Sequence, residues 1–147
     1  MTTGDRLNWR DYLMGFAEHA ARKSKDETKV GAVLVSGRRV LCTAFNGPPQ
    51  GVDDLPARRE RPAKYLWTSH AEENLIATAA RQGIIVEGLA VYVTHSPCCA
   101  CARLMIQAGI EMVVIGDGKT SMPQEQFDAA QQMFREAGVH MAGGYAK

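Results

Sequence analysis

The run LAVYVTHSPCCACARLMIQAGIEMVVIG, residues 89–116, decides the fold. Leu89 to Thr94 is an apolar, β-branched stretch of strand length, and Met112 to Gly116 is a second. Between them, Pro97 to Ala108 carries apolar residues at helical spacing and stops at Gly109, a residue suited to a helix C-terminus. Strand, helix and strand in that order imply a parallel pair joined by a crossover helix. Downstream, a helix from Pro123 to Ala137 closes on Gly138 and leads into a strand, Val139 to Ala142. Upstream, a helix from His70 to Gln82 closes on Gly83. Before it, Asn46 to Ser69 holds Pro48, Pro49, Pro56 and Pro62, four of the six prolines, and reads as one long functional loop. Lys29 to Ser36 and Arg39 to Phe45, turning at Gly37-Arg38, form an antiparallel hairpin. The first helix runs from Leu7 to Lys23, capped by Asn8, with Leu13, Phe16, Ala17, Ala20 and Ala21 on its apolar face. The expected fold is α/β: a mixed five-stranded sheet, hairpin first and parallel strands after, with helices packed on it.

The chain has 147 residues, 46% of them hydrophobic, enough for one domain spanning 1–147. The formal net charge is +1, so no extended basic field exists, and nucleic acid is not an expected partner. No run approaches the roughly 20 apolar residues of a membrane span. The opening MTTGDRLNWRDYL lacks the order of a signal peptide, so the expected location is cytoplasmic.

Four cysteines could suggest disulfides, but Cys98, Cys99 and Cys101 crowd one tetrapeptide and Cys42 sits alone in an apolar run. Cys98 and Cys101 fall at the first turn of one helix, and His70-Ala71-Glu72 opens another. Partial positive charge at a helix start favours thiolate over thiol. Two thiolates and a neutral imidazole make a Cys₂His set whose fourth tetrahedral position stays open to water, the arrangement of a catalytic zinc. Glu72, two residues past the histidine, is then free to move protons.

Taken separately, His70 fits a structural histidine, and Cys98 with Cys101 fits a redox pair or half of a structural zinc knuckle. A closed structural site would need a fourth ligand from His19, His95, His140, Cys42 or Cys99, with His95 nearest in sequence. A non-catalytic zinc module is the alternative from a different class, and it leaves Glu72 without a use.

His-x-Glu with Pro-Cys-x-x-Cys resembles the signature of the zinc-dependent cytidine deaminases. Further blocks resemble the deoxycytidylate (dCMP) deaminases: Arg22-Lys23-Ser24-Lys25-Asp26, Val30-Gly31-Ala32-Val33, Phe45-Asn46-Gly47-Pro48-Pro49-Gln50-Gly51, His70-Ala71-Glu72-Glu73-Asn74, Tyr92-Val93-Thr94 and Ile106-Gln107-Ala108-Gly109-Ile110. The resemblance implies a three-layer α/β/α fold and hydrolytic deamination of dCMP, or a C5-modified dCMP, at C4, releasing ammonia. It implies one Zn2+ on His70, Cys98 and Cys101, with Glu72 as proton shuttle. It also implies substrate contacts from the Ala71 N–H, Asn46, Ser24, Lys23, Lys25 and Thr94. Other deaminase substrates, namely cytidine, dCTP, a purine or a tRNA adenosine, are the alternatives. Glu73, Leu75 and His95 stand where relatives carry other residues, which leaves a C5 substituent open.

Arg22, Lys23, Ser24 and Lys25 form a group able to meet a 5′-phosphate, although basic residues at a helix C-terminus need no ligand. The resemblance further implies a homo-oligomer, a hexamer or else a tetramer or dimer. It implies dCTP and dTTP as effectors, with Asp53 and Asp54 holding a Mg2+-bound triphosphate and Arg58 and Arg59 on its phosphates. Tyr65, Leu66 and Trp67 offer an apolar strip for a partner copy. The Arg58-Arg59-Glu60-Arg61 run reads otherwise as a solvated loop.

Overall fold

The computed structural model describes residues 6–144. Its elements run α1 (Trp9–Ala21), β1 (Gly31–Ser36), β2 (Arg39–Phe45), α2 (Lys64–Trp67), α3 (Ala71–Gln82), β3 (Ala90–His95), α4 (Cys99–Gln107), β4 (Met112–Gly118), α5 (Gln124–Ala137) and β5 (His140–Gly143). The sheet order is β2-β1-β3-β4-β5. β1 pairs antiparallel with both β2 and β3, while β3–β4 and β4–β5 are parallel, so the mixed sheet agrees with the expectation.

Strand position explains strand composition. β1 lies between two neighbours and under helices on both faces, so Gly31 to Val35 are all buried. Its Val33 and Val35 join Tyr92 and Val114 beneath Leu13, Met14 and Ala17 of α1. Its Ala32 and Leu34 point the other way, into a core with Val91, Val93, Leu75, Met105 and Phe134 contributed by β3, α3, α4 and α5. The result is three layers, with α1 on one face and α3, α4 and α5 on the other. Each large apolar side chain fully buried there contributes about 1.5–3 kcal/mol.

The cap of α1 is as expected, with the Asp11 N–H donating to Asn8 Oδ1 at 2.8 Å. Its buried face is Leu13, Met14, Ala17 and Ala21. Spacing predicts Phe16 inside, yet it is 38% exposed and forms an edge-to-face ladder with Tyr12 and Trp9 on the outer surface. The small residues Ala17 and Ala21 bring the helix so close to the sheet that a Cβ at Gly31 would overlap the Ala17 carbonyl oxygen.

The segment 46–69 is not bare loop. Pro56–Arg58 forms a 3-10 turn and Lys64–Trp67 forms α2. Its ends are drawn together by paired backbone hydrogen bonds between Gly47 and Ser69, at 3.1 and 2.9 Å, as in a compact surface excursion. One side-chain tie fixes α2 to the body, Lys64 Nζ to Asp26 Oδ1 at 2.9 Å. Gly83 and Gly138 cap α3 and α5 in the left-handed conformation. At α4 the cap is Ala108, and Gly109 follows at φ +89°.

Candidate active site

Two helix starts meet at the carboxyl end of β3, the usual place for a ligand in an α/β sheet. His70 is the N-cap of α3, and its backbone N–H donates to Glu73 Oε1 at 2.7 Å. Cys98 is the N-cap of α4, and Cys101 lies in the first turn. The His70 Nδ1 is 3.3 Å from Cys101 Sγ and 3.5 Å from Cys98 Sγ. These three donor atoms lie within 4.8 Å of one another, and they form the only such metal-binding group among the described residues.

Among the described residues none of the remaining candidates for a fourth ligand joins this cluster, although His95 lines the same cavity. Cys99 Sγ donates to Gln126 Oε1 at 2.8 Å, and Cys42 is buried in the apolar core. His95 Nδ1 meets Thr94 Oγ1 at 2.7 Å, while His19 and His140 are exposed. One nitrogen and two sulfurs suit Zn2+, and three protein ligands would be one short of a closed structural set, as in catalytic zinc sites. No disulfide competes, since all four cysteines are free.

The electrostatics fit a cation. A hydrogen bond from Cys101 holds the Cys98 thiol down to about 4, and the bond between Cys98 and His70 pushes the imidazole up to about 9. Cys101, which donates to Cys98 and is buried, is pushed up. His70, Cys98 and Cys101 would hold Zn2+ in their deprotonated forms, so its binding would release protons and weaken in acid. Glu72 is 4% exposed, and burial pushes its carboxyl up to about 7. That environment suits a group that must both accept and return a proton near neutrality.

His70, Ala71, Glu72 and Cys98 open onto a cavity of about 320 Å³ shared with Asn46 and Lys64. A His-Cys-Cys cluster able to hold a metal, an adjacent buried carboxylic acid and a cavity of this size are the parts of a hydrolytic deaminase. The sequence profile of the cytidine and deoxycytidylate deaminase zinc-binding region matches residues 7–117.

The chain belongs to that family.

This deaminase is 39% identical over 137 residues to an uncharacterized deaminase in the luxG 3′ region of Aliivibrio fischeri, covering 90% of this chain and 91% of that protein. It is 37% identical over 143 residues to the deoxycytidylate deaminase of Homo sapiens, covering 92% and 79%. The dCMP deaminase of cyanophage S-TIM5, solved in complex with dCMP and dUMP, superposes with a TM-score of 0.73 at 26% identity, covering 94% and 98%.

The three residues expected to differ from relatives each have local contacts. Glu73 takes the His70 N–H, as described, and Leu75 is fully buried in the core. His95 lies over Gly118, where no Cβ would fit, because the β3–β4 register shifts after Val93 and sets the two residues opposite each other.

Other expected site residues of the deaminase fall differently. Ala71 lines the cavity at the first turn of α3, where backbone N–H groups have no intrahelical partner. Asn46 lines it too, but its amide also splints the chain: Oδ1 accepts from the Val30 N–H at 2.9 Å and Nδ2 donates to the Thr28 carbonyl at 2.8 Å. The Thr94 hydroxyl accepts from the Gly31 N–H at 3.1 Å and meets His95, and it is not on the cavity wall. Ser24 is buried and donates to the Asn46 carbonyl at 2.9 Å. Lys23 and Lys25 line a second, larger groove of about 700 Å³, together with Asp54, Arg59 and Arg81. Asp26, Asn46 and Thr68 border both spaces.

Asp54 is paired with two cations. Arg59 Nη1 is 2.7 Å and Lys25 Nζ 3.3 Å from its carboxylate, which the Arg59 hydrogen bond holds below the ordinary range. Asp53 offers its carbonyl to Arg58 at 3.1 Å, and the Arg58 guanidinium lies 3.8 Å over the Trp67 ring. Sequence reasoning missed Asp26, Arg61, Lys64 and Tyr65 as cavity residues. Asp26 stood in a family block, Arg61 in a charge run and Tyr65 in an apolar strip, while Lys64 carried no signal, because their juxtaposition depends on a contact spanning 38 positions.

Proposed function

We propose that this deaminase hydrolyses dCMP to dUMP and ammonia. The observation that carries the proposal is the buried Glu72 beside the His70, Cys98 and Cys101 donors, at the wall of one cavity. Zn2+, when bound, lowers the pKa of a water in its open position to about 7 and so supplies hydroxide at neutral pH. The chain's own residues do the rest. Glu72 holds a proton and delivers it to the departing C4 amine. The Ala71 N–H, unpaired at the start of α3, suits the pyrimidine carbonyl. Asn46, fixed through Val30 and Thr28, presents its amide edge to base or sugar. Relatives named deoxycytidylate deaminase support dCMP, and so does the S-TIM5 dCMP complex. The test is ammonia release from dCMP, dCTP, deoxycytidine and 5-methyl-dCMP. The proposal expects the largest kcat/KM on dCMP; a larger value on deoxycytidine or dCTP would overturn the substrate assignment.

Regulation and assembly belong to the same proposal. The groove holding Lys23, Lys25, Arg59 and Arg81 has the charge to take a nucleoside triphosphate such as dCTP or dTTP. Its phosphates would meet these cations directly, replacing the Mg2+ bridge through Asp53 and Asp54. Tyr65 and Leu66, 65% and 84% exposed, give the neighbouring loop an apolar strip for a second copy. Light scattering and dCMP saturation curves with and without dCTP decide this: a monomer with an unchanged hyperbolic curve contradicts it. No helix among the described residues is long and apolar enough to cross a membrane, and four free cysteines suit a reducing compartment such as the cytoplasm.

A further inference from the structure

If dCMP is the substrate, its 5′-phosphate needs a cation in the catalytic cavity, and Lys23 and Lys25 are not on that cavity's wall. Two other cations are, Arg61 and Lys64, both from the segment that carries α2. They differ in what they are already doing. The Lys64 ammonium is committed to Asp26 at 2.9 Å, with side-chain exposures of 13% and 4%. That pair is close to neutral as seen from the cavity. Arg61 meets Glu27 across 3.8 Å, with both side chains solvated, at 46% and 87% exposure, and feels the Asp26 carboxylate only beyond ion-pair distance. A surface pair of that kind contributes little and yields easily to a better anion. The Arg61 guanidinium is also oriented: its Nε donates to the Tyr65 hydroxyl at 2.8 Å. The remaining N–H groups keep the planar fork that matches phosphate oxygens. Thr120 and Ser121 bring hydroxyls to the same cavity.

We propose that Arg61 is the 5′-phosphate anchor of the catalytic cavity, oriented by Tyr65 and set apart from Lys64 by the latter's pairing with Asp26. The assignment rests on dCMP being the substrate. It makes residues 61–65 specificity-determining for nucleotide over nucleoside, and it frees Lys23 and Lys25 from that role.

The experiment uses the zinc-loaded full chain. kcat/KM is measured on dCMP and deoxycytidine, and inhibition constants for dUMP and deoxyuridine, in wild type, Arg61→Gln, Arg61→Lys, Tyr65→Phe and Lys23→Ala/Lys25→Ala. Arg61→Gln removes a charge-assisted hydrogen bond to phosphate and should lower the dCMP-to-deoxycytidine ratio roughly 10- to 100-fold, chiefly through KM. The dUMP-to-deoxyuridine preference should fall in step. Arg61→Lys should recover part of the loss, and Tyr65→Phe should lie between wild type and Arg61→Gln. Equal losses on both substrates would mean a structural role and overturn the assignment, as would an unchanged ratio or a collapse confined to the lysine double variant. A wild-type enzyme inactive on dCMP would instead remove the substrate assignment, and this anchor with it.

Discussion

Lys64 Nζ lies 2.9 Å from Asp26 Oδ1, joining α2 to the turn that leads into β1. The Asp26 carboxylate also accepts the Thr28 N–H at 3.0 Å and is 4% exposed on its side chain, so little of it reaches solvent. Removing Lys64 leaves that charge buried and unpaired, a change that costs about 3–5 kcal/mol. Lys64→Met should therefore shift the denaturant midpoint strongly, and Asp26→Asn/Lys64→Met should recover much of the loss. Additive effects in the double-mutant cycle would show that the pair is not coupled.

Gly31→Ala should destabilise by about 1–3 kcal/mol, because the new Cβ meets the Ala17 carbonyl and lies 2.6 Å from the Ala21 nitrogen. Relief requires α1 to lift from β1. Thermal unfolding checks this, and a midpoint equal to wild type would contradict the close approach.

The cysteines should separate cleanly by zinc content. Cys101→Ser should lose the metal, while Cys99→Ser should keep one zinc per chain, since Cys99 points at Gln126. Cys42→Ser should keep zinc as well, but lose about 1–3 kcal/mol for a hydroxyl placed in the core. Metal analysis after gel filtration reads all three. Zinc loss from Cys99→Ser would reopen the ligand set.

The strands and the His70, Cys98 and Cys101 cluster were legible because each depends on local pattern. A β-branched apolar run marked β3, runs stopping at Gly109 and Gly116 marked α4 and β4, and the spacing of Cys98 and Cys101 put both sulfurs in one helical turn. The inner face of α1 was harder to read. Leu13, Phe16 and Ala17 share a face by spacing, but the close approach at Gly31 rotates the helix so that Met14 goes inward and Phe16 outward. α2 was invisible for a related reason. Its four residues have no periodicity to detect, and they are held by the Lys64–Asp26 pair between positions far apart in sequence. The phosphate assignment moved with it, since charge runs in sequence do not say which cavity each side chain reaches.

The central claim is that Glu72 moves the proton while His70, Cys98 and Cys101 hold the metal. Glu72→Gln keeps the side chain's volume and removes its acid–base function. The decisive measurement is ammonia release from dCMP by this variant at a zinc content matched to wild type. The account predicts one zinc per chain in both proteins and a kcat lower by roughly 10²- to 10⁴-fold in the variant. Wild-type turnover by the zinc-loaded variant would contradict it.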